Sequence, residues 1–551
     1  EEIATYITQR EHLGEEPPVG LDTDDDGLSN DLDDDDDNDG VNDIDDAFPL
    51  DPTEWDDSDG DGIGDNSDPI DNNPSPSGWV SGQFTSASGF EAMCASPRSG
   101  NFPDVQGTVT DENFWIRSYS NDTYLWYDEI EDVDPGNVDN VFDYFDLMKT
   151  SATTASGNAK DKFHFTYNTE EWENLSQSGV SAGYGIEFFR GSSAPPRSWL
   201  IALVQPGTPA SEASLARGAD LIEVDGVRFI DGNDVDTLNA ALFPASLGES
   251  HEFVFRDVNS AEERTVTLVS SEITLTPVQS VKVIETESGP VGYMLFNEHI
   301  ATAEAMLIDA VETFAAAQVT DLVIDMRYNG GGYLAIANAL ASMVAGDAAS
   351  GQTFSELEFN DKYPNVNPIT GATLEPRLFY QSAPWAGTTL PKLNLERVFV
   401  LSGGGTCSAS ETVINGLRGI GTEVILIGDT TCGKPYGFYA MDNCGVSYFT
   451  VQFRGVNALG FGDYTDGFSP ANINPVLAGT VIPGCYVDDD LSHELGDTAE
   501  ARLSAALDYR DTGQCPLGLP GRTSKGLPHR LSSLKGSVVR AQALSGAIAR
   551  P

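Results

Sequence analysis

Positive charge is scarce in this chain. Its 551 residues hold 29 Lys and Arg against 87 Asp and Glu, a net charge of −58. A protein so short of cations cannot neutralise a run of phosphates, which argues against nucleic-acid binding. Histidine is also sparse, at six. Cysteine numbers six (Cys94, Cys407, Cys432, Cys444, Cys485, Cys515), with no Cys-x-x-Cys spacing, so a zinc site of that kind is excluded. No run of eighteen apolar residues occurs, and nothing reads as a membrane-crossing helix. The chain begins at Glu1, and a removed leader is the expectation that this raises. An even cysteine count points to disulfides and to a secreted, periplasmic or cell-surface location. Six cysteines allow fifteen pairings. Cys432 with Cys444 is an attractive one, because the two flank Lys434 across an expected hairpin.

The acid is concentrated. Residues 1–80 carry 28 of the acidic residues and one Lys or Arg, Arg10. Three units repeat there in register: Asp22-x-Asp24-x-Asp26-Gly27, Asp35-x-Asp37-x-Asp39-Gly40 and Asp57-x-Asp59-x-Asp61-Gly62. Each is followed by an aliphatic residue (Leu28, Val41, Ile63) and a further aspartate (Asp31, Asp43, Asp65). Alternating aspartates can curl their carboxylates round one Ca²⁺, with glycine making the sharp turn. A disordered acidic linker is the competing reading, but it does not account for the recurring glycine and aliphatic positions. The spacing resembles thrombospondin type 3 repeats, and the implied role is a calcium-stiffened spacer.

Chemistry is signalled further on. Gly403-Gly-Gly-Thr-Cys-Ser408-Ala-Ser-Glu411 presents a serine before an apolar, helix-compatible run. The strand-like Glu423–Gly428 then delivers Lys434 after a short turn. Serine needs an adjacent base to act as a nucleophile, and a buried lysine can be that base once desolvation lowers its pKa. Cys407 could itself be a nucleophile, but a structural role is expected for it.

These residues resemble the active-site region of the C-terminal processing peptidases, or tail-specific proteases, in which Ser-Ala-Ser-Glu opens a helix and Gly-Lys follows about two dozen residues later. Ser408–Glu411 and Gly433-Lys434 match. Asp325-Met-Arg-Tyr-Asn-Gly-Gly-Gly332 resembles the family's glycine turn, and Val204–Ala210 with Ala216–Gly226 resembles part of a PDZ domain. The resemblance spans about residues 90–510. It implies a serine endopeptidase with a Ser408–Lys434 dyad, no catalytic cofactor, and a protein or peptide substrate held by its free C-terminus. Gly331 or Gly332 with the Ala409 N–H would form the oxyanion hole. One departure stands out. The family orients its lysine with a glutamine four residues on, and that position here is Phe438; Gln452 is the candidate replacement. A Ser–His arrangement is the minor reading, with His164 and His299 as candidates. A calcium-dependent binding or adhesion protein on an inactive protease scaffold is the alternative function.

The expected architecture is multidomain α/β: a mostly parallel-sheet, crotonase-like protease core with a PDZ-like β-rich domain. The boundaries read as an N-terminal extension (1–17), calcium repeats (18–70), a linker (71–89), a helical lead-in (90–175), the PDZ-like domain (176–272), the protease core (273–512) and a basic tail (513–551). From 517 onward the tail has six Lys and Arg and no acid. It reads as a propeptide or self-substrate. Alternating strands and helices after Gly292 predict the parallel sheet, with Ser408 at a strand's carboxyl end, where such sheets carry their sites.

Overall fold

The computed structural model describes residues 23–24, 28–30, 33–44, 46–55, 66, 78–154, 156–244, 246–474 and 479–516, and the backbone of Ala547–Ile548. The chain divides into two compact units, Glu1–Tyr119 with Glu131–Met148, and Ser120–Ile130 with Lys149–Pro551. Helix α1 spans Val109–Thr123. Within the first unit, Arg117 of α1 donates to both carboxylate oxygens of Asp132 and to the carbonyls of Val80 and Gln83. That bidentate geometry suits a buried guanidinium.

In the second unit, β1 (Phe165–Asn168) precedes an antiparallel sheet. Its strands are β2 (Ile186–Ser192), β3 (Ser198–Val204), β4 (Asp220–Val224), β5 (Ser250–Arg256) and β6 (Glu263–Val269), in the order β6-β5-β4-β3-β2. Two short helices, α2 (Pro209–Glu212) and α3 (Val235–Leu242), complete this part. Helix α3 buries Leu238, Ala241 and Leu242, the i, i+3, i+4 stripe of an amphipathic helix. The core here is Trp199, Phe229, Phe253 and Phe255 with that stripe. This antiparallel sheet falls within residues 176–272, where a PDZ-like domain is the expectation.

There follow β7 (Val278–Ile284), β8 (Val291–Phe296), α4 (Ala303–Ala316), β9 (Asp321–Asp325), β10 (Gly332–Tyr333), α5 (Leu334–Ala345), β11 (Thr353–Glu358), β12 (Arg397–Ser402), α6 (Ala409–Gly419), β13 (Glu423–Gly428), β14 (Tyr436–Phe438), β15 (Val446–Phe449), β16 (Phe453–Val456), β17 (Gly484–Tyr486) and α7 (Ala501–Thr512). The central sheet has the order β7-β8-β9-β12-β13-β17. It is parallel except for the β7–β8 pair. Every residue of β8, β9 and α5 is buried. Strands covered on both faces by helices read as continuous apolar runs, and this is why Val291–Phe296 and Asp321–Asp325 are legible as strands. A smaller sheet carries β10, β14, β16 and β11, and in it the backbone of Ala547–Ile548 lies parallel between β10 and β14. No helix among the described residues is long and apolar enough to cross a membrane.

Candidate active site

Strand β12 ends at Ser402, and a glycine-rich turn leads to Ser408 at the head of α6. Ser408 has φ 59° and ψ −112°, a conformation costly for an L residue, of order 1–3 kcal/mol. Neighbouring contacts hold it there. Its N–H donates to Glu411 Oε2 at 2.9 Å, its carbonyl accepts from Thr412 N at 2.8 Å, and the Cys407 N–H donates to Asn329 O at 3.0 Å. Ser408 Oγ is buried and has no hydrogen-bond partner among the described residues. The helix N-terminus beside it favours developing negative charge.

Lys434 comes from the loop after β13 and is fully enclosed, at 1% exposure. The same Glu411 carboxylate receives the Gly433 and Lys434 N–H groups, both at 2.8 Å, and the Thr431 hydroxyl. Burial pushes the Glu411 carboxyl up from its ordinary value, against the pull of these donors. One side chain therefore ties the nucleophile's backbone to the lysine's. Lys434 Nζ lies 4.2 Å from the Phe438 ring centre and 4.7 Å from that of Phe163. Burial lowers Lys434 from 10.5 to about 7, opposed first by the charge of Asp161 and then by that of Glu411. The hydrogen bond between Ser408 Oγ and Lys434 is not closed in this structure. Such contacts commonly tighten only with substrate.

A disulfide joins Cys407 to Cys432, next to Ser408 and two residues before Lys434. This corrects the expectation that Cys432 pairs with Cys444. Cys407 and Cys432 sit on the two segments that Glu411 already draws together, which brings their Cα atoms to 5.1 Å. Cys407 is thus structural. A second bond joins Cys485 to Cys515.

The glycine turn abuts the serine. A Cβ on Gly331 would meet Ser408 Cβ and Cys407 O at 2.9 Å, and one on Gly332 would meet His299 O at 2.5 Å; both glycines have positive φ. The Gly331 N–H, however, donates to Asn329 Oδ1 at 3.0 Å, so the expected oxyanion donors reduce to Gly332 and Ala409. Asn329 Nδ2 donates to Phe296 O, so its Oδ1 also accepts from His299 Nδ1, at 2.9 Å. That bond fixes the His299 proton on Nδ1. The buried Nε2 has no partner among the described residues, and burial drives His299 down to about 3. Gln452 is buried and accepts the Tyr439 N–H at 2.7 Å. Phe163, whose ring lies beside the lysine, was not singled out from the sequence.

Arg327 braces the turn. Its guanidinium donates to the buried Asp325 and Glu500 and to the partly buried Asp489. Arg217, from the PDZ-like part, donates to Asp489 at 2.6 Å and to the Tyr328 hydroxyl at 2.6 Å. The segment between β3 and β4 and the glycine turn therefore share one anionic anchor.

In the first unit, Asp35, Asp37 and Asp39 bring carboxylate oxygens within 4.8 Å of one another. Each spends one oxygen on the loop's own backbone: Gly40 N on Asp35, Asp39 N on Asp37, Val41 N on Asp39. The other oxygens (Asp35 Oδ1, Asp37 Oδ2, Asp39 Oδ2) are buried without partners among the described residues, as is Asp46 Oδ2. Burial and the neighbouring charges of Asp39, Asp46 and Asp35 raise Asp37 to about 6. These orphan oxygens fit a hard cation with several oxygen ligands. Asp43 accepts the Asp36 N–H. Asp24 receives Asn38 Nδ2. Asp22, Asp26, Asp31, Asp57, Asp59, Asp61 and Asp65 lie outside the described residues.

Residues 290–438 match peptidase family S41. The chain is 24% identical over 308 residues to the carboxyl-terminal-processing protease of Picosynechococcus sp., covering 53% of this chain and 66% of that protein. It is 27% identical over 163 residues to the chloroplastic carboxyl-terminal-processing peptidase 2 of Arabidopsis thaliana, covering 28% and 29%. The matches thus span less than two thirds of either relative. A crystal structure of an S41 protease homologue from Bacteroides fragilis aligns over 76% of this chain and 100% of its own, with TM-score 0.53 and 22% identity. That likeness shows a shared fold. The chain is thus similar to carboxyl-terminal-processing proteases over about half its length, and residues 290–438 match the model of peptidase family S41.

Proposed function

We propose that the chain is a serine endopeptidase that cuts protein or peptide substrates through a Ser408–Lys434 dyad, with recognition of free C-terminal tails. The observation that carries this reading is the Glu411 carboxylate, which binds the backbone of Ser408 and of Lys434 at once. Neutral Lys434 takes the Ser408 proton as Oγ attacks the peptide carbonyl. Gly332 and Ala409 N–H groups meet the oxyanion. Lys434 then protonates the leaving amine, and water hydrolyses the acyl-enzyme. A lysine near pKa 7 suits proton transfer at neutral pH. An extended substrate adds as a strand between β10 and β14, a reading supported by the Ala547–Ile548 backbone lying there. The PDZ-like sheet holds the tail at its β2 edge. The Asp35–Asp46 loop takes Ca²⁺ and stiffens the N-terminal segment. The disulfides support an oxidising, extracytoplasmic location.

A second reading has its own observation. His299, with its proton fixed on Nδ1 and a bare Nε2, could serve as the base in a Ser–His arrangement. Cleavage of casein by wild type, Ser408→Ala, Lys434→Ala and His299→Asn decides between them. The dyad requires no cleavage by the first two variants and residual cleavage by the third. Activity in Lys434→Ala with none in His299→Asn would transfer the base to histidine.

A further inference from the structure

A slot one strand wide separates two pieces of the active site. On one side is β10, which follows Gly331, the glycine whose Cβ position meets Ser408 Cβ at 2.9 Å. On the other is β14, which begins two residues after Lys434. Each wall is fixed from behind. The Tyr333 N–H donates to His299 O at 2.8 Å, and the His299 N–H donates to Gly331 O at 3.0 Å. Gly437 pairs with Phe453 of β16, and its carbonyl accepts the Gln452 N–H at 3.0 Å. With the His299 bonds made, the Gly332 N–H and C=O are the groups that β10 turns to the slot. Backbone edges of this kind take up an extended segment. The segment found there is the chain's own. Ala547 is in register with Gly332 and Gly437, and Ile548 with Tyr333 and Phe438, parallel on both sides. Glycine on both walls suits close approach of a third backbone at Ala547. The nine residues between Arg540 and Arg550 are uncharged and mostly small. The stretch from 517 onward has six Lys and Arg and no acid, on a chain of net charge −58, so the field of the rest of the protein attracts it. Ser408 and Lys434 are meanwhile enclosed, at 0% and 1% exposure, and an incoming substrate needs something to leave first.

We propose that this segment is the protease's own first substrate: the strand at Ala547–Ile548 fills the slot in cis, shuts the site to other chains, and is released when Ser408 cuts the Gly546–Ala547 bond. The inference rests on the serine-endopeptidase reading. The register selects the bond. In a parallel pair with Ala547 opposite Gly332, the Gly332 N–H meets the carbonyl of the residue before Ala547, and that is the carbonyl an oxyanion donor must face. Ser408 Oγ bonds to this carbonyl carbon, the C–N bond to Ala547 breaks, and the Oγ proton passes through Lys434 to the new amine of Ala547. Water then hydrolyses the ester, leaving a carboxylate on Gly546 and a proton back on Ser408. Before the cut, tethering keeps the slot filled. A tethered strand acts at an effective concentration on the order of 1 mM. A segment whose free counterpart binds the slot at about 0.1 mM then weakens any competing ligand about 10-fold.

Two measurements on the full chain test this. The first is the intact mass of wild type and of Ser408→Ala after purification and during incubation. Wild type should yield a chain ending at Gly546, and Ser408→Ala should keep its full length. The second is the affinity of a fluorescein-labelled peptide of residues 541–551 for Ser408→Ala, with the native tail and with Ala547→Pro and Ile548→Pro added. Proline has no N–H to give a neighbouring strand, so the double change unseats the tail without touching the walls. The peptide should bind the proline-bearing protein about 10-fold more tightly. Equal affinity, or no binding to either, would overturn the occupancy. A wild-type chain that cleaves casein with its tail intact would overturn the inference and leave the protease reading in place. So would a Ser408-dependent cut at a different bond, since the register would then be wrong. Casein left whole by wild type and by the proline variant with Ser408 restored would remove the protease reading, and this inference with it. The mass measurement needs neither proline, so it decides the cleavage even if the proline variant fails to fold.

Discussion

Replacing Lys434 by methionine should abolish cleavage and yet stabilise the fold, by an amount that depends on pH. In the unfolded chain the lysine titrates at its ordinary 10.5, and in the folded protein at about 7. A basic group whose folded value is depressed makes folding harder wherever the unfolded chain carries the extra proton. The penalty is absent well above 10.5, grows as pH falls, and is complete below about 7. The shift of about 3.5 units corresponds to about 5 kcal/mol when fully developed. Linkage makes it about 2 kcal/mol near pH 9 and about 4.5 kcal/mol near pH 6.5. Methionine has a similar stem and carries no proton. The stability gap between Lys434→Met and its parent should therefore widen by about 2.5 kcal/mol between those two pH values. The slope is thus the diagnostic quantity, more than the absolute gap. Urea unfolding in a Ser408→Ala background, which prevents self-digestion, would measure it. Parallel stability curves for the two proteins across this range would refute the burial argument, and with it the claim that the lysine titrates near pH 7.

Three further outcomes are expected. Cys407→Ala with Cys432→Ala opens a loop closed across 25 residues, which should lower stability in denaturant by about 3.5 kcal/mol; cleavage should persist, because Glu411 still joins the two segments. Glu411→Ala should do the reverse and lose cleavage by a factor of 100 or more in a peptide assay, since it leaves the Ser408, Gly433 and Lys434 N–H groups without their acceptor at about 1–3 kcal/mol each. Terbium luminescence should detect a site in the wild-type repeats that Asp37→Asn weakens, and acidification through about 6 should weaken it too, because Asp37 takes up a proton there.

Local chemistry was legible and distant chemistry was not. Ser408 and Lys434 each announce themselves within a dozen residues of sequence, by a glycine turn before a helix and a short turn after an apolar strand. The parallel sheet was legible for the same reason, because strands buried on both faces must be apolar throughout. Asp161 and Phe163 carry no such mark. Their meaning depends on a loop far away in the chain, as the Lys162 to Cys432 bond across 270 residues illustrates. The cysteine pairing failed on similar grounds. Hairpin spacing suggested Cys432 with Cys444, whereas the bond follows the Glu411 clamp. The occupation of the Gly331 N–H by Asn329 is a side-chain choice that no spacing rule records.

The separation of Asp161 and Phe163 from Lys434 has a consequence for how the enzyme comes into being. Strand β1 pairs with β15, Leu125 donates to Val451 O, and Lys162 reaches Cys432 O, so the lysine's surroundings are sewn together from both ends of the second unit. Contacts this far apart in sequence close late, because their loop entropy is repaid only after the intervening elements have packed. During synthesis the serine turn can form as soon as its own strand and helix exist, but a desolvated, neutral lysine cannot. A nascent or partly folded chain therefore carries a solvated Lys434 that is protonated at neutral pH, and so no base. On the proposed Ser408–Lys434 reading, the order of folding withholds the base until the second unit is complete.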